Sequence, residues 1–187
     1  MRAKRNLIII PGLGDRRWYY GAFALIWRCF GFSTSVYVFG WNDELASLEE
    51  KNDPFLKTIA SYKDEGVSII GVSAGGSAAI NALIAYPDIV RAVITVSSPL
   101  HRFPSLRHKL LRQSVNKTEV GMDAAEEAVL RRILSVYGIS DQTVPISNSQ
   151  DVRVHKKQLP SHGHAQSIAT ALVLHVDALR QFIISKS

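Results

Sequence analysis

Residues 67–79 read Val-Ser-Ile-Ile-Gly-Val-Ser-Ala-Gly-Gly-Ser-Ala-Ala, and they carry the strongest indication of the fold class. Its first six residues are mostly β-branched and apolar, as in a strand whose two faces are both covered. The small apolar residues of Ala74–Ala85 then predict a helix. Ser73 lies at the turn between them, flanked by Gly71 and Gly75 in a G-x-S-x-G pattern. So sharp a turn strains the serine backbone and tolerates only small neighbours.

Short β-branched runs alternate with helical patterns along the rest of the chain. The predicted strands are Leu7–Ile10, Thr34–Phe39, Val67–Val72, Ala92–Ser97, Ile133–Tyr137 and Val152–His155. The predicted helices are Arg16–Phe30, Asp53–Lys63 with Asp53 as N-cap and Pro54 as first helical residue, Ala74–Ala85 and Ala165–Ile184. This alternation predicts an α/β protein, a three-layer α/β/α sandwich with a mostly parallel sheet of about six strands. We expect one domain over residues 1–187.

The segment from about residue 100 to 132 interrupts the alternation. It carries no strand pattern, only two short helical patterns near residues 105–114 and 123–130. Because a single crossover helix needs fewer residues, we expect a small helical flap over a site. Basic residues are dense between Arg102 and Lys117, which fits either a solvated helix face or a site for an anionic group.

Composition excludes several classes of protein. With 47% hydrophobic and 20% charged residues, the chain is neither disordered nor fibrous. It contains no apolar run near the roughly 20 residues that span a bilayer, so we expect no stable membrane insertion. The net charge of +6 comes with no nucleic-acid reading motif. The apolar run Leu7–Ile10 is too short for a signal peptide, and Cys29, which we expect to pack inside, is the single cysteine; both favour a cytoplasmic protein.

A serine hydroxyl becomes a strong nucleophile when a base removes its proton, and a histidine held by a carboxylate is the usual base. Around a nucleophile elbow the chain order is serine, acid, histidine. His164 follows Gly163 and opens the last predicted helix, so we predict it as the base, with His162 as the alternative. Asp141 follows the fifth predicted strand, and we predict it as the acid. The other candidates fit these roles less well: His101, His108, His155, His175, Asp88, Asp123 and Asp151.

Acyl transfer also needs two backbone N–H donors that bind the oxyanion. The N–H of Ala74 directly follows the predicted nucleophile. The second donor is expected from Pro11–Asp15, the loop after the first strand, where Leu13 is our first choice and Gly14 our second. The glycines of this loop allow its backbone to approach the site closely.

These motifs together resemble the α/β-hydrolase superfamily, at the small end of its size range. Four features follow one another in the order of that superfamily: the Pro11-Gly12 loop, the elbow Gly71–Gly75, the Asp141-x-x-Val144-Pro145 loop, and Gly163-His164 before the last helix. The resemblance implies a parallel sheet and Ser-His-Asp catalysis. The two strands that usually precede the first strand here have no counterpart in the sequence, which agrees with about six strands.

The predicted function is hydrolysis of an ester through Ser73, His164 and Asp141, by way of an acyl-enzyme. Amide, thioester or C–C bond hydrolysis on the same residues is an alternative, as is a non-catalytic binding protein with this fold. We expect a small-molecule ester or lipid-like substrate. No motif implies a metal, a cofactor or a nucleotide, and the oligomeric state stays open.

Substrate-binding residues are expected near the carboxyl ends of the strands, where open α/β sheets bind ligands. Gly14, Trp18, Tyr19, Tyr20 and Trp41 lie there in the sequence, and the flap adds Phe103. The aromatic residues of this set either line an apolar pocket or pack in the core.

Overall fold

The computed structural model describes residues 5–15, 17–43 and 45–186. These residues form one parallel sheet of six strands in the order β2-β1-β3-β4-β5-β6. The strands are β1 (Arg5–Ile10), β2 (Phe32–Val36), β3 (Val67–Val72), β4 (Val90–Val96), β5 (Ile133–Tyr137) and β6 (His155–Gln158). Strand β2 pairs with one side of β1, and β3 pairs with the other side, so the direction in which strands are added reverses between them. The carboxyl ends of β1 and β3 therefore flank the point where ligands bind in open α/β sheets.

Helices cover both faces of this sheet. They are α1 (Arg17–Cys29), α2 (Leu48–Ala60), α3 (Gly75–Ala85), α4 (Lys109–Ala124), α5 (Glu127–Leu130), α6 (His164–Ala169) and α7 (Val176–Ser185). Successive side chains of a strand point to opposite faces. Accordingly, Ile8 and Ile10 join the apolar cluster beneath α2, α3 and α4, whereas Leu7 and Ile9 join the cluster beneath α1, α6 and α7. The predicted α/β sandwich with six parallel strands is confirmed.

Helix α2 begins earlier than predicted. Ser47 caps its N-terminus: the Ser47 side chain accepts from the Glu50 backbone N–H, and the Glu50 carboxylate accepts from the Ser47 N–H. This reciprocal capping box satisfies two donors that a helix end otherwise leaves free. Asp53 is therefore not the N-cap, and Pro54 lies inside the helix.

Other predicted elements also have different bounds. Strand β2 lies at Phe32–Val36 rather than Thr34–Phe39, and α4 occupies Lys109–Ala124 where a helix near residues 105–114 was predicted. Strand β6 lies at His155–Gln158, so the prediction of Val152–His155 was placed too early. The predicted helix Ala165–Ile184 consists of α6 and α7, separated by a π-helical turn at Thr170–Leu174 and bent by 69° relative to each other.

Two predictions fall on the surface or outside the described residues. Cys29 is exposed rather than packed, because it lies on the outer side of α1 while Trp27 occupies the core. The predicted start of the first helix, Arg16, lies outside the described residues.

No single helix within the described ranges has the length and hydrophobicity to cross a membrane. The bent pair formed by residues 164–174 and 176–185 meets that test by length and composition alone.

Candidate active site

The turn from β3 into α3 has the backbone strain that its sequence predicts. Ser73 has a φ of 51°, in the left-handed region that non-glycine residues rarely adopt, and its N–H donates to Val96 O at 2.9 Å. A Cβ on Gly71 would overlap Gly75 O, and one on Gly75 would overlap Ile10 O. The absence of these two side chains lets β3, α3 and the end of β1 meet around the serine.

The loop after β1 lies against the serine. A Cβ added to Gly12 would be 2.9 Å from the Cβ and 3.3 Å from the Oγ of Ser73. Within the described part of the chain, the backbone N–H groups of Leu13 and Ala74 donate to no acceptor. Ala74 directly precedes α3, whose N-terminus carries a partial positive charge. The N–H of Gly14, the second candidate donor, also donates to no acceptor among the described residues, and Leu13 and Gly14 line one cavity with Ser73.

Asp141 and His164 form a hydrogen-bonded pair at the carboxyl ends of β5 and β6. The distance between His164 Nδ1 and Asp141 Oδ2 is 2.7 Å. The other carboxylate oxygen accepts from the backbone N–H groups of Thr143 and Val144 at 2.8 and 3.0 Å. Because an ionised carboxylate can only accept, His164 Nδ1 carries the hydrogen in this pair. Nε2 of His164 is then the ring atom that can take a proton.

The environment of Asp141 favours its ionised form. Its side chain is only 3% exposed, and burial opposes ionisation. The hydrogen bond from His164 and the two backbone N–H groups outweigh burial, so the pKa of Asp141 lies below its ordinary value. Asp141 therefore stays negatively charged beside the imidazole.

Ser73 and His164 line the same open cavity of about 450 Å³. Three of the predicted substrate-binding residues, Gly14, Tyr19 and Tyr20, also line it, as do Gly12, Leu13 and Asp15 of the loop predicted to approach the site. The remaining lining residues are Thr143, Ala165 and Ile168, which were missed from the sequence. Thr143 and Ala165 are each within two residues of a predicted catalytic residue, and that proximity could have identified them.

The structure brings the other predicted pocket residues elsewhere. Trp41 is fully buried and stacks on Phe39 in the core, which was one of its two expected roles. Trp18 is 77% exposed and lines a shallow hollow on the outer side of α1. Phe103 packs against the core beneath α2, α3 and α4 and does not line the cavity.

The segment predicted as a flap also lies away from the cavity. Its main helix, α4, buries Leu110, Leu111 and Val115 in the same core and packs against α3. Ser77 and Ser114, both buried, join their hydroxyl groups at 2.8 Å between these two helices. None of residues 100–132 contributes to the cavity lining.

His162, the alternative base, makes other contacts. Its Nδ1 lies 3.2 Å from Ser140 Oγ, its backbone N–H donates to Gln166 Oε1, and it is absent from the cavity lining. Across the described residues, no three His, Cys, Asp or Glu side chains are grouped so that they could hold a metal ion.

Neither a family model nor a curated protein matches this chain. Several solved structures are similar to it. The alignment with Est1E from Butyrivibrio proteoclasticus has a TM-score of 0.67 at 17% identity and covers 100% of this chain and 89% of Est1E. A monoacylglycerol lipase from Paleococcus ferrophilus aligns with a TM-score of 0.66 at 14% identity, over 97% of this chain and 95% of the lipase chain. A structure from work on LipS and LipT, two metagenome-derived lipolytic enzymes, aligns with a TM-score of 0.66 at 11% identity, over 98% of this chain and 95% of that chain. The chain therefore has the α/β-hydrolase fold.

Proposed function

We propose that this protein is a serine hydrolase that cleaves esters with Ser73 as nucleophile, His164 as base and Asp141 as acid. One observation carries the proposal: the strained Ser73 shares a cavity with His164, whose Nδ1 lies 2.7 Å from a buried Asp141 carboxylate oxygen. A left-handed backbone costs free energy at a non-glycine residue, and such residues cluster at active sites. The esterases and lipases among proteins of similar fold support the same reaction class.

In the first half-reaction, Ser73 Oγ attacks the ester carbonyl carbon while His164 Nε2 takes the hydroxyl proton. His164 then gives that proton to the leaving alcohol, and the acyl group remains on Ser73. In the second half-reaction, water attacks the acyl-enzyme by the same proton transfers, releasing the acid and restoring Ser73. Asp141 fixes the imidazole tautomer and stabilises its protonated form.

The negative charge that develops on the carbonyl oxygen needs fixed donors. The N–H groups of Leu13 and Ala74 are our candidates, because both are free of other acceptors in the described structure, Ala74 directly follows Ser73, and Leu13 lines the same cavity as Ser73. A donor fixed before the reaction costs no reorganisation in the transition state, so its whole effect lowers the barrier.

The cavity wall bears on the kind of substrate. Among the described residues that line it, the aromatic rings of Tyr19 and Tyr20 combine with Ile168, and Asp15 is the one carboxylate. We therefore propose a small ester or lipid-like substrate with an apolar acyl or alcohol group, used without a cofactor or metal.

Labelling with a fluorophosphonate probe tests the nucleophile. We expect native protein to be labelled, and Ser73→Ala and heat-denatured protein not to be. Ser35→Ala is the matched control, since Ser35 lies on the exposed side of β2. With p-nitrophenyl esters of increasing chain length, Ser73→Ala should lose about 10⁵–10⁶-fold in kcat. Activity or labelling that survives Ser73→Ala would refute the proposal. If Ser73 is required, a parallel panel of amides and thioesters shows which bond the enzyme prefers.

A further inference from the structure

The loop Pro11–Asp15 is tied at both ends to one residue of the neighbouring loop after β2. At one end, the backbone N–H of Trp41 donates to Asp15 Oδ2 at 2.7 Å, and that of Gly40 donates to Oδ1 at 3.4 Å. At the other end, Trp41 Nε1 donates to Pro11 O at 3.3 Å. The two ends of the loop therefore cannot separate without breaking bonds to Trp41.

The anchor itself is rigid. Trp41 is fully buried, and its ring stacks on Phe39 with centroids 4.2 Å apart. Phe39 in turn meets Phe55 of α2 edge-on. A fully packed core residue has few alternative positions, so the hydrogen bonds to Trp41 hold the loop in one position.

The backbone of the loop would not keep its shape unaided. Asp15 has a φ of 43°, a left-handed conformation that costs free energy for a non-glycine residue, and its N–H donates to Gly12 O at 3.0 Å to close a tight turn around Leu13. The contacts of the Asp15 carboxylate thus hold a strained turn whose Leu13 N–H is free.

We infer that Asp15 and Trp41 are positioning residues that hold the Leu13 N–H ready for the developing oxyanion. The inference rests on the proposed function. Although Asp15 lines the cavity, its carboxylate oxygens are held by the Gly40 and Trp41 N–H groups, so both residues act through the loop. Their loss should weaken binding of the transition state more than binding of the substrate. In other serine hydrolases, removal of one oxyanion-hole donor lowers kcat by about 10²–10³-fold. This is the largest decrease in kcat that we expect when Asp15 or Trp41 is replaced.

Four variants separate this role from general stability. Asp15→Gly removes the carboxylate but suits the left-handed backbone, and Asp15→Asn keeps one acceptor oxygen. Trp41→Phe keeps an aromatic ring beside Phe39 without the Nε1 donor. Asp43→Asn is the matched control, because Asp43 lies on the same loop but pairs with Lys51 at 2.7 Å. We expect Asp15→Gly to lose about 10–100-fold in kcat with KM within about threefold, Asp15→Asn and Trp41→Phe less than tenfold, and Asp43→Asn less than twofold.

A trifluoromethyl ketone forms an oxyanion when the serine adds to it, so its inhibition constant measures how well the site binds that oxyanion. A residue that only stabilises the fold would not change this constant selectively. Across the Asp15 and Trp41 variants its inhibition constant should rise in proportion to the fall in kcat/KM. A non-hydrolysable ether analogue of the substrate should bind each variant as it binds the wild type. Circular dichroism at the assay temperature verifies that each variant is folded.

The outcomes distinguish the two proposals. If Ser73 is required but Asp15→Gly keeps kcat within threefold, or if the ether analogue loses affinity as much as the ketone does, the positioning role is refuted and the hydrolase remains. If the wild type is not labelled by the fluorophosphonate, or Ser73→Ala stays active, the proposed function fails and the positioning role fails with it.

Discussion

At the scale of single residues, the candidate site requires that position 12 carry no side chain. Its Cα lies so close to Ser73 that a Cβ would be 2.9 Å from the serine Cβ, shorter than carbon atoms tolerate. The absence of a side chain at Gly12 therefore leaves free the space beside Ser73 in which, on the proposed function, the ester carbonyl would bind.

Gly12→Ala should abolish most activity while the protein remains folded. The added methyl must displace either Ser73 or the loop that carries the Leu13 N–H, and a displacement of about 1 Å costs on the order of 10²-fold in rate. Steady-state kinetics with a p-nitrophenyl ester, together with thermal unfolding, measures both effects. Gly21→Ala is the control: a Cβ there meets nothing within 4 Å, so activity should persist and α1 should gain up to about 1 kcal/mol. Equal activity in Gly12→Ala and wild type would show that the contact is not tight in solution.

Asp141 should make stability depend on pH in a definite direction. Its pKa in the folded protein lies below the ordinary value of about 3.9, as burial is outweighed by hydrogen bonds from His164 and two backbone N–H groups. A group with a lowered folded pKa stabilises the fold above its unfolded pKa and loses that contribution as pH falls through the folded value. The difference in free energy of unfolding between wild type and Asp141→Asn, from urea titrations, should thus be largest near neutral pH and shrink below about pH 4. A difference that stays constant down to pH 3 would contradict this assignment.

The site residues that could be predicted from the sequence are those identified by their immediate neighbours in the chain. Ser73 is marked by glycines two positions away, and His164 by Gly163, so a short window identifies each. The cavity wall is different: the sequence left Tyr20 as either a wall or a core residue and missed Ile168, and the two meet only because α1 and α6 pack on the same face of the sheet. Nothing in either local sequence separates a wall residue from a core residue.

At the scale of elements, the start of α2 is set by its cap. The reciprocal bonds between Ser47 and Glu50 place the N-cap and the first helical residue six residues before Asp53 and Pro54, the pair that a sequence pattern favours. Pro54 is tolerated because a helix fixed at both ends by its cap and by buried Phe55 and Ile59 can lose one backbone hydrogen bond.

Ser47→Ala should lower the free energy of unfolding by about 1 kcal/mol without changing kcat or KM, since the cap satisfies backbone donors far from the cavity. Urea unfolding and ester kinetics on the same preparations measure the two quantities. Ser33→Ala, on the exposed side of β2, should stay within about 0.5 kcal/mol of wild type. A cap variant as stable as Ser33→Ala would indicate that α2 begins elsewhere in solution.

Strand prediction succeeded where both faces are covered and failed at the edge. Strands β1 and β3 to β5 are nearly continuous apolar runs, a signal that survives in the sequence because helices bury both faces. Strand β6, at the sheet edge, reads His-Lys-Lys-Gln with alternating exposure, so its apolar content is too low to mark its position. The bend between α6 and α7 was hidden for the opposite reason: both helices face the same core, so their apolar periodicity continues through the break.

At the scale of the whole molecule, one sheet carries two separate apolar layers, and the site lies where both meet its carboxyl edge. The loop after β1 is anchored through Trp41 in the layer beneath α2, α3 and α4, whereas the cavity wall draws Tyr20 and Ile168 from the layer beneath α1, α6 and α7. An assembled site therefore requires both layers to be folded at once.

The three tryptophans can test whether the layers unfold together. Trp27 is buried in the layer of α1, Trp41 in the layer of α2, and Trp18 is exposed. In Trp18→Phe/Trp41→Phe, only Trp27 reports by fluorescence; in Trp18→Phe/Trp27→Phe, only Trp41 does. Because the strands between the layers bury side chains in both, we expect the fluorescence midpoint in urea to equal the far-ultraviolet circular dichroism midpoint within each variant, as in a two-state transition. A Trp41 signal lost before the helical signal would instead mean that the layer holding the oxyanion loop opens on its own, and activity should then fall at that lower urea concentration.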